Sequence, residues 1–298
     1  MQQVVSQYDR RMPIVTALVL LASAGAHAAW NIRLKGAKDP EAAAMIAVIV
    51  PGVLVGAAAF VAWSAGTFSV SLFGLCLSVA AGLAELAYFV TLASAYAQAP
   101  ISTVYPIVRG INPLIAICIG IGLLGERLVG LQPIGVVAIV TGLLILRPPW
   151  AAHGSGHGSG MSHAALATAL LAGLLSAVGS AIERVGTQEV GPVGFLALTW
   201  GVTGSAYFLI ARHRGIPATT TPSLLTTGLL IICGHLFVMV ALSVAPLSIV
   251  VPFRESAVLL VSGWGIVRAR EASRPADVVL RLAGAACIVT GALLIALG

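Results

Sequence analysis

The 298-residue chain is 59% hydrophobic and only 9% charged, whereas soluble domains carry about a quarter charged residues. With a mean hydropathy of +1.03, it lacks the polar side chains to cover a water-soluble domain of this length, so lipid is its main solvent. The formal charge of +6 comes from 16 basic and 10 acidic residues. They are spread over short loops without an aromatic-interleaved basic patch, so nucleic acid is not an expected partner.

The 33 glycines and 15 prolines suit membrane helices, where small residues allow close backbone approach and neighbours satisfy freed backbone groups. Cys76, Cys118, Cys233 and Cys287 lie singly in apolar runs. They have no zinc or disulfide spacing and read as packing residues.

Residues 1–12 form a polar tail that includes Asp9-Arg10-Arg11. The apolar run after it contains His27 and Asn31 and no small-residue cleavage site, so it reads as a first membrane helix, not a cleaved signal peptide. A bilayer-spanning helix needs about twenty mostly apolar residues. Breaking the chain at its polar, Gly and Pro clusters predicts spans over 13–34, 41–63, 71–97, 100–123, 131–146, 164–185, 193–211, 223–243, 246–267 and 276–297. The fold class expected is therefore an all-α membrane protein with ten transmembrane helices, integral and multi-pass, in a bacterial inner (cytoplasmic) membrane.

An ionisable group at the centre of a membrane helix costs about 2.5–3.5 kcal/mol on insertion scales, so each needs a partner, a water-filled cavity or a function. Span 1 presents Ser23, His27, Trp30 and Asn31 on one helical face. In span 3, Glu85 is followed by Tyr88, Phe89, Leu92 and Tyr96. Span 4 aligns Tyr105, Arg109 and Asn112 on one face between Pro106 and Pro113. Ser176, Ser180 and Glu183 share a face of span 6, His235 lies in span 8, and Arg254 and Glu255 follow Pro252 in span 9. Spans 2, 5, 7 and 10 are nearly plain.

Each polar residue also has a structural reading. Arg109 can pair with Glu85 or Glu255, and His27 and His235 can be satisfied interior histidines. Glu183 and Arg184, near the predicted end of span 6, can snorkel to the surface. Glu126 and Glu271 lie at span ends beside basic residues, which favours a surface or hinge role over substrate contact.

Residues 147–163, RPPWAAHGSGHGSGMSH, form a Gly/Ser/His-rich linker that cannot bury enough apolar surface to order itself. Its His153, His157 and His163 read as spacer residues, not a metal site. The linker separates a first five-helix repeat, 13–146, from a second, 164–298. Ala99-Pro100-Ile101-Ser102 recurs as Ala245-Pro246-Leu247-Ser248, and Pro106 recurs as Pro252, at an offset of 146. Gly125-Glu126 answers to Arg270-Glu271, and Gly135 with Ile139-Val140-Thr141-Gly142 answers to Gly284 with Ile288-Val289-Thr290-Gly291. Five spans per repeat is odd, so the second enters from the side where the first ended and the topology is inverted, a plan common in secondary transporters. Counting Lys and Arg at the span ends, with Arg184 among those opposite the linker side, places both termini outside under the positive-inside rule.

The segments HAAWNIRLKGAKD (His27 to Asp39), APISTVYPIVRGINP (Ala99 to Pro113) and PFRESAVL (Pro252 to Leu259), with Glu126 and Thr141-Gly142, together resemble the EamA-type transporters of the drug/metabolite transporter superfamily. The resemblance covers essentially the whole chain. It implies two inverted five-helix repeats with a central cavity lined by spans 1, 3, 4, 6, 8 and 9. It also implies cytoplasmic termini and a basic second loop, yet Ser64 to Val70 carries no charge.

The function expected is secondary transport, by alternating access, of a small polar organic solute, either an amino-acid-like zwitterion or an organic anion. The transport is coupled to protons or to exchange. Arg109, Tyr105, Asn112, Arg254, Trp30, Asn31, His27, Tyr88 and His235 are the expected substrate contacts, with Glu85, Glu255 and Glu183 for an ammonium group or a coupling proton. The alternatives are an exporter of hydrophobic cations or drugs, a lipid flippase, or an intramembrane enzyme. No HExxH, GxSxG or Walker pattern is present, and neither enzymatic activity nor a cofactor is expected. The expected partners are a small-molecule substrate and the lipid bilayer.

Overall fold

The computed structural model describes residues 14–35, 40–99, 101–146, 162–215, 221–255 and 275–297. Among them the chain forms ten helices and no strand: α1 (Ile14–Lys35), α2 (Pro40–Ser64), α3 (Leu72–Gln98), α4 (Ile101–Gly122), α5 (Gln132–Leu146), α6 (His163–Val190), α7 (Pro192–His213), α8 (Pro222–Val244), α9 (Leu247–Arg254) and α10 (Pro275–Leu297). A helix satisfies its own backbone polar groups, which is what a chain this poor in polar residues requires in lipid.

Five of these helices are long and apolar enough to cross a membrane: Met45–Ser64 within α2, and α3, α6, α7 and α8. Their surfaces agree with that. Leu72 is 78% and Leu123 80% exposed, and Phe60, Val137 and Leu209 also face outward, an apolar exterior that water would not tolerate but a bilayer does. The chain is thus consistent with a multi-pass integral membrane protein.

Helix ends lie within two residues of the expected ones, with two exceptions. The described part of α9 stops at Arg254, and the remainder of that expected span lies outside the described residues, as do the linker residues 147–161 and Glu271. The other exception is α6, which runs to Val190 instead of 185. Polar Gln188 and Glu189 do not break a helix. It ends at Gly191, whose φ of +85° suits glycine and which precedes Pro192 at the start of α7. The extension buries Glu183 and Arg184, at 2% and 4% exposure. Neither snorkels, and Arg184 does not count among the loop charges that orient the chain.

The helices divide into two compact units, each drawing on both halves of the sequence. Unit 1 comprises residues 1–18, 88–178 and 245–298, and unit 2 comprises residues 19–87 and 179–244. In unit 1, α5 packs on α10 through glycines. A Cβ at Gly135 would lie 2.6 Å from the Gly291 carbonyl oxygen, and one at Gly142 would lie 2.6 Å from that of Gly284. In unit 2, α2 packs on α7 in the same manner, a Cβ at Gly56 meeting the Gly201 Cα at 2.6 Å. Without a hydrophobic drive between helices in lipid, such backbone approach supplies the van der Waals contact that holds them.

The cysteines differ from expectation. Cys76, Cys118 and Cys233 are exposed free thiols and Cys287 is half-buried. An outward face that meets lipid is as apolar as a core, so the surrounding sequence does not distinguish the two.

Candidate functional site

In unit 1, Arg109 and Asn112 stand three residues apart on α4 and meet Glu255 at the C-terminal end of α9. Arg109 Nη1 donates to both Glu255 oxygens, at 3.1 and 3.2 Å, and Asn112 Nδ2 donates to Oε1 at 3.2 Å. Arg254 Nη2 reaches the same oxygen at 3.5 Å. Glu255 is 2% exposed, and the guanidiniums hold its buried charge there. Among the described residues, Arg254 Nε and Asn112 Oδ1 are buried without hydrogen-bond partners, so the cluster keeps hydrogen-bonding capacity for a further polar group.

The other end of α9 has a second carboxylate. Pro246 offers no side-chain cap, and Glu126, from the segment before α5, takes that role. Its Oε1 accepts from the Leu247 backbone N–H at 2.6 Å, and its Oε2 accepts from the Ser248 N–H at 2.9 Å and from Ser248 Oγ at 2.7 Å. The orphan donors of the first turn are thereby satisfied. Glu126 is a helix cap, which accords with a structural role near a span end. Tyr88 packs in the core of unit 1 against Val104, Val108, Ala169 and Ala172.

In unit 2, two carboxylates and a histidine come together from α3, α6 and α8. His235 Nε2 lies 2.7 Å from Glu183 Oε1, and one ligand atom each from Glu85, Glu183 and His235 lie within 4.8 Å of one another. Glu183 Oε2 is buried without a partner. Trp200 of α7 stands edge-on to His235 with ring centroids 5.1 Å apart, and the Trp200 and Trp30 indole nitrogens are buried and unbonded. On α1, Ser23 Oγ donates to the Gly234 carbonyl at 2.8 Å, the His27 ring nitrogen Nδ1 lies 3.0 Å from the Ser23 carbonyl, and His27 stacks at a tilt on Trp30 at 5.9 Å. Arg184 donates to the Leu242 carbonyl.

The structure therefore brings Arg109, Asn112, Arg254 and Glu255 together in one unit, and Glu85, Glu183 and His235 in the other. The side chains of Asn31 and Tyr105 lie outside the described residues. The sequence reading missed Trp200, having treated span 7 as plain, although Thr199, Trp200 and Thr203 are all buried. The signal was there, in two threonines and a tryptophan on successive turns of an otherwise aliphatic run.

No protein-family model and no curated protein matches the chain. Among solved structures it is similar to a protein crystal structure with 17% sequence identity and a TM-score of 0.71, over 96% of this chain and 97% of that one. At that identity the likeness speaks for the fold alone.

Proposed function

We propose that this chain is a secondary carrier for a small polar organic solute bearing a carboxylate or similar anionic group. In this reading it is an EamA-type member of the drug/metabolite transporter superfamily, with ten spans in two inverted repeats, in a bacterial inner membrane. The observation that carries the reading is the Arg109–Glu255–Arg254 cluster, two guanidiniums on one buried carboxylate with unfilled polar atoms beside it. Guanidinium groups gathered at depth in an apolar bundle, beside an unfilled amide oxygen, suit an anionic ligand.

Internal duplication has support of its own. Arg109 and Glu255 bond each other and are separated by 146 residues, the offset at which Pro106 recurs as Pro252, so in this reading they are counterparts in the two repeats. Equivalent positions touch near an axis relating two copies. The glycine contacts of unit 1 are reciprocal in the same sense: Gly135 meets Gly291 and Gly142 meets Gly284, and exchanging each residue for its counterpart turns one pair into the other.

In this mechanism the solute's anionic group binds Arg109 and Arg254 in competition with Glu255, and Glu85, Glu183 and Glu255 are the carboxyls that can carry a coupling proton. The test begins with a thermal-shift screen of the purified protein against amino acids, organic acids, phosphonates, sulfonates and amines. A ligand at a hundred times its Kd should add about 2.7 kcal/mol of stability. Carboxylate-bearing compounds should be the hits. In proteoliposomes, Arg109→Ala should abolish uptake of the hit compound and Glu85→Gln should reduce it several-fold. Undiminished transport in both variants, or stabilisation by amphiphilic cations alone, sinks this reading, and the second outcome favours an exporter of hydrophobic cations.

A further inference from the structure

The carboxylate and imidazole groups of unit 2 converge from three helices, which a coupling proton on a single carboxyl does not require. We propose that Glu85, Glu183 and His235 form a binding site for a divalent transition-metal cation of the zinc class. The inference rests on unit 2 alone and holds whether or not the chain carries an organic solute.

Three observations lead to it. The first is convergence: ligand atoms from residues on α3, α6 and α8 lie within 4.8 Å of one another. The second is burial, because Glu183 and His235 are 2% and 7% exposed, and a carboxylate held in an apolar interior calls for a cation or a proton beside it. The third is the Glu183 Oε2 atom, which belongs to this cluster and is buried with no partner. Buried carboxylate oxygens are normally satisfied, so this one is available to a ligand.

The donor set selects the ion. Mg2+ and Ca2+ favour all-oxygen shells, whereas one imidazole nitrogen with carboxylate oxygens is a borderline set that suits Zn2+, Co2+ or Mn2+. Ligand atoms about 2.0–2.2 Å from one ion in a tetrahedral site lie roughly 3.3–3.6 Å apart, inside the 4.8 Å that encloses the three groups. Trp200, edge-on to the imidazole, holds the His235 ring in place by packing. Three protein ligands leave a coordination position for water or another small ligand.

The test is calorimetric titration of ZnCl2 into the full-length protein in detergent. The linker histidines are replaced (H153A/H157A/H163A) so that they do not compete. One Zn2+ per chain is expected, undisturbed by excess Mg2+. His235→Gln and Glu183→Gln should each weaken binding at least about tenfold, while Glu189→Gln, an exposed change on the same helix, should leave it unaltered. Co2+ should develop a visible absorption band that His235→Gln removes. If either buried variant does not elute as a monodisperse species, Glu85→Gln takes its place under the same criterion. Absence of Zn2+ binding in the parent, or equal binding in the parent and the cluster variants, overturns the proposal.

Discussion

Unit 1 and unit 2 solve the same problem with different chemistry. Each places ionisable groups on apolar helices where isolated charges are costly. Unit 1 surrounds one carboxylate with two guanidiniums and an amide, whereas unit 2 gathers two carboxylates and a histidine and keeps an arginine on a backbone carbonyl. The contrast shows that a guanidinium fork holds the carboxylate in one unit and an imidazole in the other.

The largest expected effect falls on the guanidinium-bound carboxylate. Glu255→Gln takes the anion from the buried Arg254 and the half-buried Arg109 and should destabilise the protein by about 3–5 kcal/mol, read as a fall in the thermal unfolding midpoint in detergent. Adding Arg109→Gln should recover part of the loss, because the two sites are coupled. A near-neutral Glu255→Gln would remove the distinction between the units.

The helix contacts come next, and here the units should behave alike. Gly201→Ala in unit 2 and Gly135→Ala in unit 1 each push a Cβ to within 2.7 Å of facing backbone, at a cost of roughly 1–3 kcal/mol. Gly25, where an added Cβ would meet nothing within 4 Å, should accept alanine without loss. If Gly25→Ala were as harmful as the other two, close packing would not be the reason these glycines matter.

Glu126→Ala removes the cap of α9 and should cost about 0.5–2 kcal/mol, with hydrogen exchange accelerating first at Leu247 and Ser248. The smallest effect sharpens the comparison. Glu183→Gln breaks one hydrogen bond to His235 but also relieves repulsion from Glu85, so its cost should stay near 0.5–1.5 kcal/mol, well below that of Glu255→Gln. Equal losses in the two variants would mean that unit 2 holds its charges as tightly as unit 1 does.

Most helices were legible in the sequence because lipid leaves a chain only one way to satisfy an isolated segment's backbone, and an apolar run of the right length reports that directly. The end of α6 was not, since its last turn and a half is polar and only Gly191 stops it. The Arg109 and Asn112 face was visible from helical spacing on α4. Its partner was not singled out, because Glu85 and Glu255 were equally good candidates by composition. The Glu183 and His235 pair joins residues 52 apart in sequence, and the Glu126 cap joins residues 121 and 122 apart, with no local pattern linking either.

The sequence by itself determined the solvent, the helical class and the identities of the stranded charges, because the cost of burying polar groups in lipid applies residue by residue. Tertiary structure alone decided which charges meet. Pairing depends on which helix faces approach within about 3 Å, and side chains on different helices carry no mark of that in their own neighbourhoods. Arg254 and Glu255 follow each other in the chain and share a cluster. Glu183 and Arg184 are equally adjacent, yet one binds His235 and the other the Leu242 carbonyl.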